Sequence, residues 1–300
     1  MKTKDIAALF GLAALWGASF LFMRIASPAI GPFLTTQGRV TIAAIALLIY
    51  IIIIKKSTEW RQRWKQYLII GALNAAIPFT LISTASLHLN ASIMAIINSM
   101  TPLFTALIVW LWLKEKLGVR KWIGIMVGII GVLFLVGWSP ISFTPEVIIA
   151  IILCILSTVF YGIGGVYAKK AFNGVQPLLV AFGQQIGASF LLIPFTLFHL
   201  PTSASTITPT VVWSVVCLAL LCTAIGYLLY FYLITSVGPT KALSVTFLVP
   251  LFGMIWGVVF LNEQINIGMI AGLMVILISI FLISDIRINA KSSHKKMGDT

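Results

Sequence analysis

The chain has 300 residues, of which 60% are hydrophobic and only 9% charged, with a formal charge of +13 and a mean hydropathy of +1.08. That leaves too little polar surface to cover a water-soluble globule, so lipid is the solvent the composition implies. The basic residues are spread along the chain and not gathered on one face, which argues against nucleic acid as a partner.

Apolar runs recur at about 20 residues, the length at which a helix crosses a bilayer. In chain order the predicted spans lie near 6–26, 33–54, 67–87, 91–113, 121–138, 147–169, 177–198, 210–234, 241–261 and 266–284. The expected fold is all-α and integral to the membrane, with ten transmembrane helices. The first span does not read as a cleaved signal, because Arg24 and Pro28 follow it without a small-residue cleavage site. Cys154, Cys217 and Cys222 fall inside spans, where they pack as small apolar residues and imply neither a disulfide framework nor a metal cluster.

The charges alternate by loop. Lys2 and Lys4 precede span one, Lys55 to Lys65 separate spans two and three, and Lys114 to Lys121 separate spans four and five. Lys169 and Lys170 follow span six, Lys241 opens span nine, and Arg287, Lys291, Lys295 and Lys296 lie in the tail. All of the 20 basic residues except Arg24 and Arg39 thus fall on one side. By the positive-inside bias both termini are cytoplasmic, in an inner or plasma membrane. The tail, 285–300, is expected to lie against anionic lipid headgroups.

The chain also repeats. A shift of 145 pairs Trp16-Gly17 with Tyr161-Gly162, Arg24 with Lys169, Pro32 with Pro177 and Gly38-Arg39 with Gly183-Gln184. A shift of 148 then pairs Ala76-Ile77 with Ala224-Ile225, Pro102 with Pro250, Glu115 with Glu263 and Gly124 with Gly272. Five spans per half, an odd number, invert the second half (147–284) on the first (6–137). Inverted repeats of this kind place a substrate site near the midplane and rock around it.

Leu15-Trp16-Gly17-Ala18-Ser19-Phe20 ending in Arg24, the Pro32 to Arg39 opening of span two, and Pro102 followed by Glu115, with their echoes in the second half, resemble the EamA family of the drug/metabolite transporter superfamily. The resemblance implies a ten-helix carrier, usually an exporter of metabolites or amino acids. Its cavity would be lined by the first, third and fourth helices of each half.

Arg39 lies about six residues inside span two, roughly 9 Å deep at 1.5 Å per residue. Facing lipid there is unfavourable, so it either pins neighbouring helices or faces the cavity to attract a carboxylate; its mate, Gln184, is neutral. Arg24 either snorkels to the outer interface or acts as a gate. Pro102 and Pro250 lie near the midpoints of spans four and nine and free the carbonyls of Asn98 and Thr246. Pro78, a turn after Asn74, does the same in span three. These prolines are packing kinks or hinges. The remaining cavity candidates are Trp16, Asn74, Asn98, Thr101, Tyr161, Gln184, Tyr227, Ser244 and Trp256. Glu115 and Glu263 precede spans five and ten, either as helix caps or as gate residues. Gly124-xxx-Gly128 and Gly268-xxx-Gly272 permit close helix approach, more in keeping with internal packing than with dimerisation; a monomer or weak dimer is expected.

No Asp, Glu or Lys occupies the centre of a span, which disfavours cationic drugs as substrates, and a zwitterionic or anionic small molecule suits Arg39 better. No cofactor motif, ATP-binding loop or paired catalytic group is present. The reading is a secondary transporter, an exporter of small metabolites such as amino acids, and not an enzyme. A channel or non-transporting membrane sensor is the alternative class, ahead of an intramembrane enzyme.

Overall fold

The structure of the protein, a computed structural model, describes residues 1–138, 144–200 and 207–283. The basic tail lies outside the described residues. These residues form ten apolar helices: α1 (Thr3–Ile30), α2 (Pro32–Ile53), α3 (Trp60–Ala85), α4 (Ala91–Leu113), α5 (Val119–Gly137), α6 (Pro145–Ala171), α7 (Pro177–Phe198), α8 (Pro209–Val237), α9 (Val245–Leu261) and α10 (Ile267–Ile283). A single helical turn, Pro239–Ala242, precedes α9. There are no strands among the described residues.

Local chemistry marks the boundaries. Gly31 at φ +83 ends α1, a backbone conformation open to glycine, and Pro32 begins α2. Pro145, Pro177 and Pro209 likewise open their helices, where the missing N–H is no loss. The α3 helix starts seven residues before the predicted span. Arg61, Arg63 and Lys65, expected in a loop, therefore lie on its first turns, with Arg63 Nε 2.5 Å from Glu59 Oε2.

Eight helices, α1 to α8, are long and apolar enough to cross a membrane. Of the other two, α9 is 17 residues, or about 26 Å at 1.5 Å per residue, and α10 has 17 among the described residues. Large apolar side chains such as Ile53, Leu133, Val259 and Ile267 face outward, while Arg39, Gln184, Gln185, Thr158 and Thr223 are buried. A membrane protein sorts its residues in this way.

The interior is built by exchange between the halves. The α1 helix packs on α9 and α6 on α4; α7 packs on α2 and α3, and α8 on α1 and α2. Both glycine motifs face inward on one helix pair, α5 along α10, with Gly124 and Gly128 against Ser279 and Gly272 against Leu135. A Cβ on Gly124 would stand 2.7 Å from Ile283 Cγ1, and Ser279 Oγ donates to the Gly124 carbonyl at 2.6 Å. Gly124→Ile is therefore expected to cost about 1–3 kcal/mol through overpacking. A thermal melt in detergent measures this; unchanged stability with a loss of dimers would mean the motif serves association instead.

Candidate functional site

Two of the helices are irregular at places 148 residues apart. In α3 the segment Ala72–Ala76 is a π-helical turn, and in α8 the segment Leu220–Ile225 is another. Such one-turn widenings occur frequently at functional sites. In α3 the cause is visible: Pro78 has no N–H to give the Asn74 carbonyl, and Ile77 N–H reaches back five residues to Ala72. In α8 no proline is present, and Thr223 Oγ1 donates to the Leu218 carbonyl at 2.8 Å.

Arg39 of α2 enters between these turns. It is 6% exposed; Nε donates to Thr223 Oγ1 at 2.9 Å, and the guanidinium lies 3.6 Å over the Phe79 ring. Nη1 approaches Met23 Sδ at 3.8 Å. Among the described residues no carboxylate lies within ion-pair distance of it. Tyr161 packs edge-on against Phe79 with centroids 6.3 Å apart, so one chain of contacts runs Tyr161, Phe79, Arg39, Thr223.

A second chain runs beside it. Asn74 Nδ2 donates to Gln184 Oε1 at 2.8 Å, and Gln184 Nε2 donates to the Tyr227 hydroxyl. Trp16 closes the row, 6.3 Å from Tyr227 and 5.3 Å from Tyr230. Trp16, Arg39, Asn74, Tyr161, Gln184 and Tyr227 are thereby brought into one polar and aromatic cluster, drawn from α1, α2, α3, α6, α7 and α8. Sequence reasoning missed Phe79 and Thr223. A lone phenylalanine or threonine in an apolar run carries no signal, although Phe79 follows Pro78 and Thr223 lies one turn before Tyr227.

The candidates on α4 and α9 stand apart from that network. A turn at Ser99–Met100 interrupts α4, so Pro102 opens its second segment and does not kink a continuous helix. The freed Asn98 carbonyl accepts from Thr101 Oγ1 at 2.7 Å, a local partner in place of a cavity or substrate. Asn98 Oδ1 is buried without a hydrogen bond. Ser244 donates to the Lys241 carbonyl at 2.6 Å. Pro250 is buried early in α9, short of its midpoint, and Trp256 Nε1 clamps α9 to α1 through the Ala14 carbonyl at 2.9 Å.

The four charged gate candidates divide into unlike pairs. Arg24 Nη1 donates to the carbonyls of Ser86 at 2.6 Å and Leu87 at 3.2 Å, just past the end of α3, so it is engaged and not snorkelling freely. Glu263 does not cap the helix that follows it. Its carboxylate accepts from Ala91 N–H at 2.6 Å, Ser92 N–H at 3.0 Å and Ser92 Oγ at 2.5 Å, which caps α4, while Asn266 Oδ1 caps α10 through Met269 N–H. Glu115 does not cap α5 either, whose N-cap, Gly118, offers no side chain; it lies 3.9 Å from Lys169, both well exposed. Arg24, Pro28, Leu87, Asn90, Leu261 and Glu263 line a cleft of about 460 Å³.

No group of three His, Cys, Asp or Glu gathers at metal-binding distance among the described residues. What the central cluster can do is hold an anion. A guanidinium without a counter-ion, away from bulk water, offers forked donors to a carboxylate in a medium that strengthens the pairing.

The fold and this centre define a polytopic helical membrane protein with a cationic interior. Its sequence matches the EamA-like transporter family twice, over residues 3–137 and 148–285, and the chain belongs to that family. It is similar to an uncharacterized transporter, YvbV, of Bacillus subtilis (strain 168), 29% identical over 297 residues that cover 98% of this chain and 94% of the relative. Protein PecM of Dickeya dadantii (strain 3937) is 23% identical over 298 residues, 99% of this chain and 97% of that protein. A solved crystal structure shares the fold, with a TM-score of 0.68 at 17% identity over 94% of this chain and 96% of the other. The protein is a multi-pass membrane transporter.

Proposed function

We propose that this transporter is a secondary carrier that exports small zwitterionic or anionic metabolites, amino acids among them, by alternating access around Arg39. The observation that carries this reading is the buried guanidinium of Arg39, held by Thr223 and stacked on Phe79, with no carboxylate of the described residues to neutralise it. Such a charge inside the membrane is costly and marks a functional site by default.

In this reading all ten helices span, with α9 meeting the bilayer by local thinning, and the halves are inverted repeats with both termini cytoplasmic. Three observations support the symmetry. The π turns fall 148 residues apart, α1 on α9 is answered by α6 on α4, and the family matches each half separately. The basic loops put the Arg24 end outside.

The test is a thermal-shift screen of the purified protein against amino acids and small carboxylates, followed by counterflow in liposomes for each hit. Saturable counterflow is expected for a carboxylate-bearing compound and none for its decarboxylated amine. Equal counterflow of the amine would remove Arg39 as the anchor, and unsaturable flux would indicate a channel.

A further inference from the structure

The repeat is close to symmetric in its architecture, but its two ends are fastened unequally, and the difference can be traced to three pairs of residues. At one end Arg24 gives two hydrogen bonds to the Ser86 and Leu87 carbonyls, and Glu263 takes three from Ala91 and Ser92. The α3–α4 connection is thus gripped at both of its helix ends, a cation on the carbonyls and an anion on the amides, each matching the partial charge there. At the other end their repeat mates, Lys169 and Glu115, only face each other at 3.9 Å with side chains 71% and 59% exposed. Among the described residues neither makes a hydrogen bond to the equivalent α8–α9 connection, 234–240.

We propose that Arg24 with Glu263, and Lys169 with Glu115, are alternative latches of one conformational switch, and that the sequence biases it toward closure at the Arg24 end. The inference rests on the alternating-access reading. In the opposite state Lys169 reaches the carbonyls of Ile234 and Thr235, and Glu115 reaches the amide of Thr240, the counterparts of Ser86, Leu87 and Ser92.

Each exchange weakens the second latch. Lysine at 169 replaces the forked donor of Arg24 with a point charge. Proline at 239 replaces Ala91 and removes the amide that gives Glu263 its 2.6 Å bond. Val109 replaces Gly257, where a Cβ would stand 2.4 Å from Glu263 Oε2 and 2.7 Å from Ser92 Oγ, so the groove that seats the Glu263 carboxylate has no counterpart for Glu115. The carboxylates, the two backbone carbonyls and the hydroxyl-bearing residue at 92 and 240 are common to both latches.

The test uses the full chain in lipid nanodiscs with Cys154, Cys217 and Cys222 replaced by alanine. Spin labels at exposed positions 88 and 264 report the Arg24 end, and labels at 235 and 116 the other. Glu263→Gln is expected to lengthen the 88–264 distance and shorten 235–116, moving the population ratio by roughly tenfold, the loss of one charge-assisted hydrogen bond. Pro239→Ala, which restores a donor and does not remove one, is expected to move the ratio the same way, and Glu115→Gln the opposite way. Two states with proportions indifferent to Glu263→Gln and Pro239→Ala would overturn the latch while leaving alternating access intact. Distances that never change reciprocally in any variant would overturn both.

Discussion

Arg39→Ala is expected to weaken binding of a carboxylate-bearing substrate by roughly 10- to 150-fold, the worth of a hydrogen bond to a charged group at about 1.5–3 kcal/mol. Counterflow at a fixed low substrate concentration falls accordingly. The melting temperature is expected to move little. Arg39 gives up one hydrogen bond to Thr223 and its stacking on Phe79, but the fold is also relieved of a desolvated, unpaired charge, and the two effects oppose each other. Arg39→Lys keeps the charge without the fork and should fall between. Arg39→Gln, which copies the residue at the repeat-equivalent position, should fold as well as the parent and bind as poorly as the alanine variant. Loss of monodisperse protein in both Arg39→Ala and Arg39→Gln would make Arg39 a pin between α2 and α8, and the substrate anchor would have to be sought elsewhere.

The membrane character, the helices and their approximate limits were legible because hydropathy is a property of each segment by itself. The 148-residue offset carried further, since it aligns Ala72–Ala76 with Leu220–Ala224, where both π turns fall. Only the first of these has a local cause, Pro78; Leu220–Ile225 contains nothing that predicts widening. Partners distant in sequence were not legible. Glu263 precedes α10 and reads as its cap, yet its amides belong to Ala91 and Ser92, 172 and 171 residues away. Asn98, Thr101, Ser244 and Trp256 were chosen for their chemistry. A hydroxyl in a membrane helix can satisfy itself on its own backbone, as Thr101 and Ser244 do. Gly183 and Gly187 on α7 were not singled out as a pair, and which helix they admit is not written in their spacing.

That helix is α3, and Gly187→Ala is expected to be the most damaging single-methyl change in the cluster's scaffold. A Cβ at 187 would lie 2.1 Å from the Tyr67 carbonyl oxygen and 2.7 Å from its carbon. Across the same crossing, a Cβ on Gly71 would lie 2.5 Å from Ala188 N. These neighbours are backbone, so no rotamer change can make room and the helices must part. The cost of overpacking is about 1–3 kcal/mol, read as a fall in melting temperature. Separation of α3 from α7 also stretches the 2.8 Å hydrogen bond from Asn74 to Gln184, one turn from Gly187, so substrate affinity falls with stability although the added methyl touches no cluster residue. Gly165→Ala is the control. It adds the same methyl to α6 where nothing lies within 4 Å, and alanine's helix propensity should stabilise the protein slightly. A Gly187→Ala protein that melts and binds like the parent would mean that α3 and α7 cross farther apart, and that Asn74 and Gln184 do not meet through this contact.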